Sequence, residues 1–276
     1  MYQKKIELLL LDGNPNERIL CNLTNWDGIC FKIPRTKIKE SKDRKELKKT
    51  GIYLLFGKNN DADAIYIGEA ENIYERLIQH LSRKDFWNEC IVFMKKDDSL
   101  NKAHIKYIEN VLYNTAIEIN RYIVENTTIP TKSNISEFDA VAMEEFIDYI
   151  KMLTNILGYR VFEEIVSEKI IEEEEMYYIR SIGLEAKGIF TNEGFVVFKG
   201  SESNNEFKKA SMEYLRIKWS ELRRTGIIEN NKFTKDYLFA SPSTAAAIIL
   251  GRNANGLTEW KNKDKQTLKS TIKKDD

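Results

Sequence analysis

Tyr53, Tyr66, Arg76, His80 and Glu109 have the types and spacing of a site that handles an anion and a cation together. Arg76 and His80 lie one helical turn apart. An arginine presents a planar fork of donors matched to phosphate or carboxylate, and histidine titrates near neutrality. Glu109 comes four residues after Ile105 and three before Leu112, so it falls inside the apolar stripe Ile105, Ile108, Leu112, Ala116 and Ile119. A carboxylate aimed at a core is expensive unless something cationic meets it. The ordinary pKa of a tyrosine is ~10, which makes either phenol a poor base near neutrality unless neighbouring positive charge stabilises the phenolate.

These side chains need elements that hold them in place. The apolar run Gly51-Ile52-Tyr53-Leu54-Leu55-Phe56-Gly57, the polar turn Lys58-Asn59-Asn60-Asp61 and the run Ala64-Ile65-Tyr66-Ile67-Gly68 predict two antiparallel strands. From Glu71 to Leu81 the spacing predicts a helix, with Ile73, Leu77 and Leu81 on one face and Asn72, Arg76 and His80 on another. A third strand is expected over Phe86–Met94, and a helix carrying Glu109 from near Asn101.

Gly51-Ile52-Tyr53, then Tyr66-Ile67-Gly68, then Asn72, Arg76 and a distant Glu109 together resemble the GIY-YIG nuclease family. The resemblance covers roughly the second quarter of the chain. It implies an α+β fold, a small three-stranded mixed or antiparallel sheet flanked by helices, and metal-dependent hydrolysis of DNA phosphodiester bonds in repair, restriction or phage defence. Tyr53 is then the general base, with Tyr66 positioning it or the water, and Arg76 grips the phosphate. Glu109 holds one Mg²⁺ (or Mn²⁺) that keeps most of its waters. His80 contacts phosphate or shuttles a proton. The family adds an asparagine after the Glu-bearing helix. Asn114, Asn120 and Asn126 compete for that place, and spacing favours Asn120 or Asn126 as a DNA contact. Glu69 and Asn72 are expected to bond the backbone near the second tripeptide and the helix start, and His104 to be a polar residue of a first turn. The competing reading is a non-cleaving DNA-binding or scaffold protein that retains the fold, and a partner-binding module of a defence system fits either.

Lysine plus arginine and aspartate plus glutamate both number 43, so net charge gives no sign of a nucleic-acid partner. The distribution is uneven: residues 32–49 are basic and residues 163–175 acidic. The basic stretch either tracks a phosphate backbone or forms a solvated helix over Lys39–Lys49. Cys21, Cys30 and Cys90 lack disulfide or zinc spacing. With no apolar run of membrane-spanning length, the expectation is a cytoplasmic protein with reduced thiols and no membrane partner.

Four segments are expected: an N-terminal β extension over residues 1–45, the nuclease core over 46–128, a helix and acidic connector over 135–175, and a C-terminal α+β accessory domain over 176–276. Ile6–Leu11 and Arg18–Leu23 predict a hairpin packed beside the core, with Trp26 and Phe31 as core aromatics. Asp139–Leu157 predicts a helix stopped by Gly158. Ser241-Pro242, the apolar run to Gly251, Asn255-Gly256 and Trp260 resemble a bacterial domain of unknown function found C-terminal to GIY-YIG nucleases, and more distantly a small domain attached to DNA-modification enzymes. The framing of that run, with a serine cap, proline at the first position and glycine past the end, predicts a short helix. The tail reads as an accessory module whose basic residues Arg216, Lys218, Arg223, Arg224 and Arg252 hold DNA, or whose surface binds a protein partner.

Overall fold

A computed structural model of the protein describes residues 3–60, 62–163, 176–181, 183–208 and 212–272. The chain forms two compact units, residues 1–163 and 164–276, and the acidic connector expected between them falls almost entirely outside the described residues.

The first unit is built on a seven-stranded sheet. Its strands are β1 (Ile6–Leu10), β2 (Ile19–Leu23), β3 (Gly28–Pro34), β4 (Gly51–Asn59), β5 (Ala62–Ala70), β6 (Trp87–Lys95) and β7 (Ile123–Val124), in the order β1-β2-β3-β6-β4-β5-β7. All neighbours are antiparallel except β5 and β7. The three strands expected for the core, β6, β4 and β5, are adjacent. The N-terminal hairpin does not pack beside them. It extends the same sheet through β3, which pairs with β6 from Gly28↔Lys95 to Pro34↔Glu89. Cys30, Phe31 and Ile33 are buried there on both faces, and burial on both faces is that of an interior strand.

Strand alternation sends neighbouring residues of β4 to opposite faces. Ile52, Leu54 and Phe56 meet Ile65, Ile67, Ile91 and Phe93 under α2 (Lys102–Ile119) and α3 (Glu137–Ile156). Tyr53 and Leu55 join Ile33, Ile38, Leu47 and Val92 under α1 (Ile73–Arg83). Burial of an Ile, Leu or Phe side chain contributes about 1.5–3 kcal/mol, so these residues set the register in which Tyr53 is carried. Residues 39–49 form no helix. Arg35–Lys37, Lys39–Ser41 and Lys45–Lys48 are separate 3₁₀ turns, pinned by the buried Ile38 and Leu47.

The second unit has a four-stranded antiparallel sheet of β8 (Met176–Ser181), β9 (Leu184–Thr191), β10 (Gly194–Val197) and β13 (Tyr237–Phe239), in the order β13-β10-β9-β8. Its helices are α4 (Glu213–Arg224), α5 (Pro242–Leu250), α6 (Gly256–Glu259) and α7 (Leu268–Ile272), and β11 (Ile228–Glu229) and β12 (Lys232–Phe233) form a short ribbon. The expected framing of α5 is present: Ser241 accepts from the Thr244 amide and Gly251 is left-handed at φ 63°. Trp260 is fully buried, 4.3 Å from Phe195, and its indole donates to the Pro242 carbonyl at 3.0 Å.

Candidate active site

The two glycine tripeptides pair with one another. Gly51 lies opposite Ala70 and Tyr53 opposite Gly68 in the β4–β5 ladder. The Tyr53 ring crosses the place where a side chain at position 68 would stand: a Cβ there would come within 2.2 Å of the ring and 2.3 Å of its hydroxyl. A Cβ at position 51 would lie 2.4 Å from the Phe93 carbonyl of β6. One glycine therefore admits the tyrosine and the other the neighbouring strand.

Asn72 caps α1, accepting from the Glu75 amide at 3.2 Å, and so fixes where its polar face begins. That face brings His80 Nε2 to 2.8 Å from the Tyr53 hydroxyl and lets Arg76 Nε donate to the same oxygen at 3.2 Å. The Tyr66 ring completes the cluster, 6.1 Å from Tyr53 and 5.4 Å from His80. His80 is only 3% exposed. Its burial, with Arg76, Lys84 and Arg83 nearby, pushes its pKa down to about 4, so the ring is neutral at pH 7. His80 Nδ1 is buried and has no hydrogen-bond partner among the described residues. An orphaned lone pair costs less than an orphaned N–H, which favours the tautomer protonated on Nε2. The Tyr53 oxygen then accepts from two donors, His80 and Arg76. Both stabilise a phenolate, yet burial and Tyr66 outweigh them and hold the Tyr53 pKa well above its ordinary value.

Glu109 sits half-buried on α2. Burial first, and the Glu69 carboxylate second, raise its pKa to about 7, against the opposing pull of Lys102, Arg76 and Lys106. It has no hydrogen-bond or ion-pair partner among the described residues. Glu69 is not a backbone ligand as expected: its carboxylate pairs with Lys102 at 2.9 Å. A half-buried carboxylate without a partner, beside a second carboxylate, fits a hard divalent cation. No three acidic, His or Cys side chains converge as a ready-made cage among the described residues, so such an ion would rest on Glu109 with water completing its shell.

Each of the three candidate asparagines has a place within the fold. Asn126 accepts from the Ile67 amide at 3.0 Å and donates to its carbonyl at 2.7 Å. Beyond the two-residue β5–β7 pairing at Ala64 and Ile65, its side chain thus takes the place of a strand beside Tyr66. Asn120 ends α2 in the left-handed conformation at φ 56°, and Asn114 donates to Asn110. His104 forms a capping box with Asn101. His80, expected to contact phosphate or shuttle a proton, is packed behind Tyr53.

Two contributors escaped the sequence reading. Lys84 follows Arg76 and His80 at the same i, i+4 spacing, and its ammonium lies 4.1 Å from the Tyr66 ring centre; that spacing was a usable signal. Arg35, in the basic stretch, donates to the Leu81, Lys84 and Trp87 carbonyls at 2.8–3.1 Å. It closes the C-terminal end of α1, which no local pattern announces. Lys32, Lys37 and Lys49 of the same stretch are held in ion pairs with Glu89, Glu40 and Asp98, so much of that charge is spent within the fold.

Residues 49–134 match the family model of the GIY-YIG catalytic domain, and residues 177–272 match that of a domain of unknown function, DUF4357. No curated protein and no solved structure matches the chain. Among the described residues no helix is long and apolar enough to cross a membrane.

Proposed function

From a chain that carries a GIY-YIG catalytic domain with DUF4357 C-terminal to it, we propose a metal-dependent endonuclease that hydrolyses phosphodiester bonds of DNA. The observation that carries this reading is one cluster: Tyr53 bonded by both Arg76 and His80, with a partnerless, half-buried Glu109 within electrostatic reach of Arg76.

Arg76 binds the scissile phosphate. Its Nη1 donates to the exposed Gln79 at 3.2 Å, a bond that a phosphate oxygen can replace, while Nε stays on Tyr53. Tyr53 acts as the base in its phenolate form: its own proton leaves to solvent first, a step that the Arg76 and His80 donors make less costly, and the phenolate then orients the attacking water and takes its proton. His80 holds Tyr53 in place and Tyr66 packs against both. Glu109, ionised, holds Mg²⁺ or Mn²⁺. Such an ion supplies positive charge against the phosphoryl oxygens and the leaving oxygen. Asn126 acts on the site through the Ile67 backbone, and any DNA contact by Asn120 or Asn126 is secondary to those roles in the fold.

The test is cleavage of a panel of duplex, branched and single-stranded DNA with Mg²⁺ or Mn²⁺, using Glu109→Gln as control. Metal-dependent cutting by the wild type alone supports the reading. One observation favours the alternative of a DNA-binding protein that does not cut: burial raises the Tyr53 pKa and so opposes its use as a base. Tight DNA binding with no cutting under any metal condition would decide for it.

A further inference from the structure

Several basic residues of the second unit are engaged within the fold. Arg223 donates to the Asn204 carbonyl at 2.7 Å and to Asn231 at 3.0 Å, and stacks on Trp219. Lys218 pairs with Glu221, and Arg216 stands 3.8 Å from Glu213. Arg252, one of the basic residues singled out in the sequence, converges with Arg180, Lys261, Lys263 and Lys265 in a groove of about 340 Å³, where Glu259 is the one carboxylate of the lining. Glu259 is paired with Arg252 at 2.8 Å, and Glu185, outside the groove, is paired with Arg180 at 3.0 Å.

The walls are held rigidly. Lys261 exchanges both backbone hydrogen bonds with Tyr178 of β8, at 2.7 and 3.0 Å. The turn that follows is closed by Asn262, whose side chain accepts from the Asp264 and Gln266 amides. Arg180 stacks on Tyr178, its guanidinium 4.6 Å from the ring centre. The position of Lys265 is also informative. Among the described residues, every other non-glycine residue with positive φ is an asparagine, namely Asn25, Asn60, Asn120, Asn230 and Asn231, while Lys265 holds φ 63°. Asparagine tolerates that conformation better than lysine, so the lysine gives up backbone ease to place a cation at the groove.

We propose that this groove binds the phosphodiester backbone of a nucleic acid. It would serve as a holding site in DUF4357, separate from the residues that cut. Arg180 and Arg252 are each matched by a carboxylate; the exposed Lys261 and Lys265 carry the charge that a polyanion can neutralise with release of its counterions. The proposal rests on the nuclease reading only for the polymer being DNA.

The test uses the full chain in EDTA, so that cutting plays no part, with a fluorescein-labelled mixed-sequence duplex and its single strand as probes. Lys265→Asn should melt no lower than wild type, because the left-handed position suits asparagine, and yet bind DNA more weakly. Lys261→Glu with Lys265→Glu should weaken binding about tenfold or more and reduce the slope of log affinity against log salt by about 2. Lys199→Glu, an exposed charge outside the groove, should change little. Unaltered affinity and salt slope in both groove variants would overturn the proposal, as would an equal loss in Lys199→Glu. Failure of the wild type to cut any substrate would instead count against the nuclease reading and leave this measurement intact.

Discussion

The cluster around Tyr53 and the groove beside Lys261 differ in how each treats its charge. In the first unit the polar groups are taken out of water and turned on one another: His80 is neutral, Tyr53 holds its proton, and Glu109 stands near half-ionisation at pH 7. In the second the cations remain in solvent, several of them in partial pairs. Desolvation moves pKa values and prepares groups for proton transfer and metal binding, at a cost in stability. Solvated charge attracts a polyanion in a salt-dependent way. Under the proposed function, the contrast places the chemistry in the first unit and retention of substrate in the second.

The most damaging break of this contrast should be Gly68→Ala. The added methyl would meet the Tyr53 ring at 2.2 Å, so the tyrosine must leave its hydrogen bonds. Overpacking of this kind costs about 1–3 kcal/mol or more, and cleavage should fall below detection while DNA affinity, read by anisotropy, changes little. Gly256→Ala makes an equally severe clash, 2.1 Å from the Pro242 backbone, but in the second unit. It should lower DNA affinity and spare the cutting rate at saturating DNA. If Gly256→Ala stops the chemical step in a single-turnover assay, the division of labour is wrong.

Arg76→Ala and Arg76→Lys should each lose about 10²-fold or more in the single-turnover rate, because an ammonium restores the charge without the fork that serves Tyr53 and phosphate together. Full rescue by lysine would reduce the role of Arg76 to charge. Asn126→Ala leaves the Ile67 amide and carbonyl without their side-chain partner and should cost about 1–3 kcal/mol, seen as a lower denaturation midpoint of the first unit with a smaller loss of rate.

The smallest effect is on stability against pH. Glu109 has its folded pKa raised from 4.5 to about 7, so its contribution is present below about pH 4.5 and is lost as pH rises through about 7. His80 works the other way: its folded pKa is depressed to about 4, and stability is lost as pH falls from about 6.5 toward 4. In EDTA, Glu109→Gln should therefore melt a few degrees above wild type at pH 8, with the gap closing by pH 5. A constant gap would mean that Glu109 is not the group held out of its ordinary range.

Much of the first unit is legible in the sequence because its signals are local. The alternation of β4 and β5, the polar face of α1 with Arg76 and His80, and the placement of Glu109 inside an apolar stripe all follow from periods of two and 3.6 residues. What escaped depends on distant pairing. The edge-on addition of β1–β3 is decided by β3 meeting β6, and the capping of α1 by Arg35 joins segments far apart in sequence. The bonds of Asn126 to Ile67 likewise join segments far apart in sequence. In the second unit the framed helix α5 and the buried Trp260 were readable. The basic groove was not, because Arg180, Arg252 and Lys261–Lys265 are brought together only when Lys261 pairs with Tyr178.

The central claim is that Glu109 holds the metal of a DNA-cutting site, and the most direct measurement is single-turnover cleavage of DNA by wild type and Glu109→Gln across Mg²⁺ or Mn²⁺ concentration at pH 6 and pH 8. Wild type should cut at both pH values but need more metal at pH 6, where protons compete for a carboxylate of pKa about 7. Glu109→Gln should bind the same DNA within a few-fold of wild type and cut at least about 10²–10³-fold more slowly at every metal concentration. Equal metal-dependent cutting by a folded Glu109→Gln would contradict the account.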